Sequence, residues 1–287
     1  MVMEVADDLG AYPIRKISLN SLKLHTLIAE GGFAEIYRAA SPEGTVAVRI
    51  LKKQYRFNRR RRQRFLEGVK VRRLFGPLQQ VVQYRGEFGG FFSCPGEVIE
   101  WIEGTTLRTL MHQGHPVIRT ATLDILRQCA AAIMHIHQLG YLHLDIKPEN
   151  FLVQFENGKP IVKLTDFDLV LPIDQKQAPE KFGGSLMYLP PEYLEKKTVS
   201  PAMDIFAFGV LAFHLLTGQP PFVGSVEPML RTNSYRIVFP DRPAVPDELK
   251  DLVCKCLARK PSGRFRSAAE LYTTVEQLRI EFAKQKR

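Results

Sequence analysis

The chain is predicted to be α+β, with a small antiparallel β-rich part that holds one helix, followed by a larger, mostly helical part. Three observations lead there. Between Leu22 and Trp101, short apolar runs alternate with turns marked by glycine and proline, the pattern of strands joined by hairpins. One helical pattern, Arg59 to Leu74, interrupts them and stops at Gly76-Pro77. Beyond Gly104 the apolar residues recur at helical spacing in long stretches, the clearest being Thr120 to Leu139, Pro201 to Thr217 and Ala268 to Phe282.

Taken in order, residues 1–21 show little periodicity and read as an extension. Leu22, Leu24 and Leu27 begin a strand that runs into Ala29-Glu30-Gly31-Gly32-Phe33-Ala34. Ile36 and Tyr37 form its return, Ser41 to Gly44 is a turn, and Val46 to Ile50 is a third strand. Gly31-Gly32 suits either a hairpin turn that needs φ > 0 or a loop whose N–H groups cover phosphates. The Arg59–Leu74 helix takes Phe65, Val69 and Leu74 for its apolar face. Val81 to Trp101 reads as two strands around Gly89-Gly90. The next long helix buries Leu123, Leu126, Ala130 and Ile133 and stops at Gly140. Phe151 to Val153 and Ile161 to Leu164 pair around an Asn157-Gly158 turn. Ser200 caps the helix that Pro201 starts. The last helix turns Leu271, Tyr272, Val275 and Leu278 inward.

A net charge of +10 over 287 residues favours anionic partners. Arg59 to Arg62 supplies part of it, at the start of a helix, where cations oppose the helix dipole. A solvated face is the ordinary reading of that run, and a bound anionic partner would relieve it. No specific nucleic-acid motif occurs. Cys94, Cys129, Cys254 and Cys256 form no CxxC pair and read as reduced, buried thiols of an intracellular protein. The N-terminus lacks a signal-peptide pattern, and the most apolar run, Ile205 to Leu216, is interrupted by His214 and too short for a transmembrane span. A cytoplasmic location is therefore expected.

The chemistry concentrates in His143-Leu144-Asp145-Ile146-Lys147-Pro148-Glu149-Asn150. Asp145 can orient a hydroxyl or accept its proton, Lys147 adds a cation, and Asn150 offers an oxygen suited to a hard cation. The stretch resembles the protein-kinase catalytic loop His-Arg-Asp-Leu-Lys-x-x-Asn. Asp166-Phe167-Asp168 follows where that family carries Asp-Phe-Gly, and Pro190-Pro191-Glu192 where it carries Ala-Pro-Glu. The resemblance runs from about Leu22 to Phe282.

It implies a bilobal protein-kinase-like fold, with an extension at 1–21, an N-lobe at 22–103 and a C-lobe at 104–287. ATP with Mg²⁺, or Mn²⁺, would lie between the lobes. By the same resemblance Asp145 and Lys147 are catalytic, and Asn150 and Asp166 hold the metal. Gly31, Gly32, Ile36, Ala47, Arg49, Glu67, Glu100, Ile102 and Leu152 would surround the nucleotide. Ile99 would gate the space behind the base, and Glu67 would pair with Arg49. His143, Phe167, Glu192, Asp204 and Arg264 would give structural support, with Asp204 bracing the catalytic loop and Arg264 pairing with Glu192.

Several positions depart from the family pattern. Arg49 replaces the lysine of Val-Ala-Ile-Lys, and a forked guanidinium cannot reproduce the contact of a compact ammonium. Ala29 and Ala34 replace glycines of the phosphate loop. Asp168 replaces the glycine of Asp-Phe-Gly, where it would draw in a cation, pair with Arg49 or face solvent. Leu144 replaces the arginine that receives a loop phosphate, and residues 169–184 contain no Ser, Thr or Tyr. Activation by phosphorylation within that loop is therefore not expected. Ser185 is the first hydroxyl, aligned with a residue that contacts the catalytic Asp and Lys. Lys147 matches the Ser/Thr type of loop. The expected activity is attenuated transfer of a γ-phosphate to Ser/Thr of a protein substrate. The alternative is a catalytically impaired pseudokinase, acting as a nucleotide-binding, scaffolding or allosteric partner. A small-molecule phosphotransferase is disfavoured by the 190–192 and 218–222 segments.

Overall fold

The structure is a computed structural model and describes residues 11–90, 93–177, 186–222 and 235–285. Ser185 and the end of the loop before it lie outside the described residues. The chain is a bilobal α+β protein and divides into two compact units. The first runs to Glu103 and also includes Thr165–Val170; the second holds Gly104–Leu164 and the residues after Val170.

In the first unit, strands β1 (Lys23–Glu30), β2 (Ala34–Ser41), β3 (Gly44–Leu51), β4 (Tyr84–Phe88) and β5 (Gly96–Glu100) form one antiparallel sheet in the order β1-β2-β3-β5-β4. The β2–β3 hairpin closes at Ser41↔Gly44, where Gly44 takes φ 116, a conformation glycine reaches without Cβ strain. Its register places Ile36 opposite Arg49, and Arg49 opposite Glu97 on β5. Helix α1 (Arg59–Leu74) is capped by Asn58, whose side chain accepts the Arg61 N–H at 3.1 Å. It buries Phe65, Gly68, Val69, Val71 and Arg72. Phe65 and Val69 pack with Ala34, Leu51 and Tyr84 of the sheet. Leu74, expected on the apolar face, is only half-buried, and Val71 and Arg72 are fully inside.

The second unit begins with β6 (Gly104–Thr106), α2 (Leu107–His112) and α3 (Val117–Thr120). Helix α4 (Thr122–Gln138) buries Ile125, Leu126, Cys129, Ala130, Ile133 and Ile136. Gly140, at φ 80, ends that helical stretch, and the chain passes through β7 (Tyr141–Leu142) into the catalytic stretch. The β8–β9 hairpin (Phe151–Glu156, Lys159–Leu164) turns at Asn157-Gly158, both at positive φ. A short strand β10 (Leu171–Pro172) pairs with β7. Helices α5 (Pro191–Lys196), α6 (Pro201–Thr217), α7 (Asp247–Cys256) and α8 (Ala268–Gln285) follow.

Helix α6 is buried along nearly its whole length, so it is core rather than surface. Gly209 allows α7 its close approach, because a Cβ there would stand 2.6 Å from Cys256 Cβ. Ser200 precedes α6 but makes no side-chain cap, which corrects the expectation of a capping serine; Pro201 at the first turn starts the helix instead. The cysteines are all free, yet Cys254 is exposed and Cys94 half-buried, so only Cys129 and Cys256 match the expected burial.

His214 on α6 gives the second unit a pH-dependent core. It is buried, and its Nδ1 has no hydrogen-bond partner among the described residues. Burial, with a smaller contribution from Arg108, pushes its imidazolium from 6.5 down to about 4. Between those values the unfolded chain binds more protons than the folded one, so stability falls as pH falls through the window. His214→Leu is expected to abolish up to about 3 kcal/mol of this pH dependence. Melting temperatures measured across the window test it, and an unchanged slope in the variant would refute it.

Candidate active site

The 143–150 stretch is built on a buried carboxylate. Asp204, near the start of α6, is fully buried. Its Oδ1 accepts the Leu144 N–H at 2.7 Å, and its Oδ2 accepts the His143 N–H at 2.9 Å. His137 of α4 donates through Nε2 to the same Oδ2 at 2.8 Å. Burial pushes the Asp204 carboxyl up, but His137 and the His143 backbone N–H outweigh it and hold it below the usual range. Leu144 sits at φ 63, a strained region for a branched residue, and the Asp204 contact fixes it there.

That turn presents the chemistry. Asp145 Oδ2 receives Lys147 Nζ at 2.6 Å and Asn150 Nδ2 at 2.8 Å. Asn150 Nδ2 also donates to the Asp145 carbonyl at 2.8 Å. Both donors converge on one oxygen, leaving Oδ1 without a donor among the described residues and able to accept from a hydroxyl. Asn150 uses its amino group on Asp145, so its Oδ1 remains as an acceptor for a cation. Leu152 follows on β8 and is half-buried. Elsewhere in this unit Arg264 grips Glu192 with two bonds of 2.6 and 2.8 Å, and also donates to the Ala202 and Ala258 carbonyls.

In the first unit the charges cluster on β3, β5 and α1. Arg49 is 3% exposed. Its Nη1 bonds Glu97 Oε1, and its Nη2 bonds Asp168 Oδ1 at 2.8 Å, with Asp166 Oδ1 at 3.7 Å. Arg72 of α1 donates through Nε to Glu97 Oε2 at 3.1 Å and through Nη1 to the Val82 carbonyl at 3.0 Å. Burial opposes the charge on Arg49, but Asp168, Glu97 and Asp166 outweigh it and strengthen its hold on the proton. Burial likewise pushes Glu97 up, and Arg72 and Arg49 overcome it and draw the carboxyl down. Burial pushes Asp168 up, to about 6, against the pull of Arg49. Asp166 has positive φ, and its side chain is 41% exposed.

This overturns one expected pairing. Glu67 bonds Lys70 at 3.2 Å, and the carboxylates on Arg49 are Glu97 and Asp168. The reason is helical geometry: one residue turns the face by about 100°, so Gly68, not Glu67, faces the core. A Cβ on Gly68 would meet the Phe167 carbonyl oxygen at 2.7 Å. Arg49, expected beside a nucleotide, has both terminal nitrogens on carboxylates. Asp168 is buried and paired, not solvent-facing. Gly31 donates to the Ala34 carbonyl at 2.9 Å, a hairpin contact, and a Cβ on Gly32 would meet nothing within 4 Å. Ile36 on β2 and Ala47 on β3 lie in the sheet, Ile99 is buried on β5, and Ile102 is buried just beyond it. Glu100 exchanges hydrogen bonds with the Gln83 backbone.

A family profile of the protein kinase domain matches residues 22–274. The chain belongs to the protein kinase family. The chain is 30% identical over 284 residues to the serine/threonine-protein kinase PknL of Mycobacterium tuberculosis, covering 94% of this chain and 69% of that one. It is 27% identical over 272 residues to the probable serine/threonine-protein kinase PknB of Lactococcus lactis, covering 91% and 42%. It is 27% identical over 259 residues to the serine/threonine-protein kinase PrkC of Bacillus subtilis, covering 87% and 39%.

The kinase domain shows no group of three His, Cys, Asp or Glu side chains placed to hold a metal among the described residues. Asn150 Oδ1 in the second unit and the part-exposed Asp166 carboxylate in the first are each oxygen donors of the kind a hard cation takes. No helix among the described residues is long and apolar enough to cross a membrane. The buried charges beside Arg49 that the sequence did not reveal are Glu97 and Arg72. Their signal was a carboxylate inside the apolar strand Gly96–Glu100 and an arginine on the inner face of α1, each costly to bury unless paired.

Proposed function

We propose that this kinase domain transfers the γ-phosphate of ATP to Ser or Thr of a protein substrate, with attenuated activity. The observation that carries the reading is the Asp145 carboxylate, held through Oδ2 by Lys147 and Asn150 with Oδ1 left to accept. Oδ1 orients the substrate hydroxyl and takes its proton as the new oxygen–phosphorus bond forms and the bond from the γ-phosphorus to the β–γ bridging oxygen breaks, with ADP leaving. Lys147 Nζ, 2.6 Å from Asp145, offsets charge on the transferred group. Asp204 fixes the backbone that aims Asp145. Asn150 and Asp166 would hold Mg²⁺, which neutralises phosphate charge when bound. Gly31, Gly32, Ile36, Ala47, Glu100, Ile102 and Leu152 would line the nucleotide. The relatives are named serine/threonine-protein kinases, which supports the substrate class.

A second reading, a pseudokinase that binds partners without transfer, is favoured by the engagement of Arg49 with Glu97 and Asp168. One assay separates them: transfer of labelled γ-phosphate, with Mg²⁺ or Mn²⁺, to the chain itself and to a generic basic protein. Asp145→Asn is expected to reduce transfer by about 10²–10⁴-fold. No transfer above that variant would establish the pseudokinase reading. The exposed arginines Arg59 and Arg60 on α1 remain the candidate contact for an anionic partner.

A further inference from the structure

Two departures from the kinase pattern and one close approach of α1 meet at one place in the first unit. Arg49 stands for lysine, Asp168 stands for glycine, and Gly68 is the α1 residue that faces Phe167. A lysine offers its N–H donors from a single nitrogen, so two carboxylates must crowd that one atom, whereas a guanidinium can reach two separate carboxylates from two nitrogens. The Arg49 guanidinium does so, with Nη1 on Glu97 and Nη2 on Asp168. Arg72 holds the far oxygen of Glu97 at 3.1 Å, and its guanidinium lies 4.7 Å from the Phe167 ring centroid. Phe167 is fully buried, with the Phe75 ring 5.5 Å away. The approach of α1 to the Phe167 carbonyl leaves no room for a side chain at position 68.

We propose that Glu97, held by Arg72, is the carboxylate that positions Arg49, and that Arg49 grips Asp168 so that the four side chains form a standing clasp on the segment carrying Asp166. Arg49 and Arg72 face three carboxylates, Glu97, Asp168 and, at 3.7 Å from Arg49, Asp166, so the cluster carries one more carboxylate than guanidinium. Arg49 is then a tether and not a phosphate ligand. Ordering a segment costs about 1–2 kcal/mol per residue. A loop phosphate would offset that cost through charge-assisted bonds, but residues 169–184 have no hydroxyl to carry one. The buried clasp supplies such bonds permanently. Glu97, Arg72, Arg49 and Asp168 are positioning residues for Asp166. The bearing of the clasp on phosphotransfer rests on the kinase reading above; its existence does not.

The test is hydrogen exchange of amides 166–170 in the full chain without nucleotide. Asp168→Asn keeps the shape and removes the charge, and it is expected to speed exchange there by at least about tenfold while the Val48 amide in β3 changes less. Asp168→Glu keeps the charge and is expected to restore most of the protection, and it also serves if the asparagine variant fails to fold. Unchanged exchange in Asp168→Asn would show that Phe167 packing alone holds the segment. Equal acceleration at Val48 would show an ordinary stabilising ion pair. Either result overturns the clasp. ADP added to the wild-type chain should leave the 166–170 amides unchanged or slower; a marked acceleration would mean that Arg49 leaves Asp168 for phosphate, and would also overturn it. If calorimetry finds no ADP binding at all, the proposed function fails while the Asp168 variants still decide the clasp.

Discussion

Glu97→Gln is expected to cost about 3–5 kcal/mol of stability, because it leaves a buried arginine without its compensating charge. Glu97 is fully buried and touches two guanidinium groups, Arg49 through Oε1 and Arg72 through Oε2. Glutamine fills the same volume but carries no charge, and its amino group would face one of the two cations. The effect is not one of shape. A matched removal, Arg72→Met with Glu97→Met, is therefore expected to be less damaging than Glu97→Gln alone, since Arg49 keeps Asp168. Urea unfolding of the full chain reads both, as a lower midpoint with an unchanged slope. A loss below about 1 kcal/mol for Glu97→Gln would place this network with surface ion pairs, which contribute that little.

Asp204→Ala is expected to cost a similar amount and to abolish the geometry at Asp145. The substitution strands the buried N–H groups of His143 and Leu144, which now bond Asp204 at 2.9 and 2.7 Å. Each stranded donor costs about 1–3 kcal/mol. Leu144 also loses the contact that holds it at φ 63, so the following Asp145 relaxes. Asparagine is expected to rescue only in part, because the two N–H groups now bond different oxygens and its amino group would face one of them. The sign of the pH effect follows from the depressed Asp204 carboxyl. Its stabilisation is present above the unfolded value of 3.8 and is lost as pH falls below it. Denaturant unfolding combined with the phosphate-transfer assay separates the two consequences: a variant that stays folded at assay temperature yet loses transfer supports the bracing role, and full retention of transfer would refute it.

The sequence by itself determined the long helices, the strands of the first sheet and the candidate stretch 143–150. The helix at Arg59–Leu74 was legible from its apolar residues and a Gly76-Pro77 stop, and the Asn58 cap became visible only in the structure. Asp145, Lys147 and Asn150 were legible together because a short loop brings neighbours in sequence into contact. The Arg264–Glu192 and Asp204 contacts were expected only through the family resemblance, since their partners lie 72 and 61 residues apart in the chain.

What the tertiary structure decided was the partner of Arg49. Sequence position suggested Glu67, five residues before Arg72 on α1, but rotation about the helix turns Gly68 inward and leaves Glu67 with Lys70. The carboxylate comes instead from β5, directly opposite Arg49 in the sheet register. A register is set by which strands pair, not by any local pattern, and β5 is buried on both faces, so alternation could not mark Glu97 as special. The fold also chose among the readings left open for Asp168, setting it against Arg49 and not against solvent. Local interactions specify the elements; the burial of charge, which requires a partner from elsewhere in the chain, could be read only once those elements were packed.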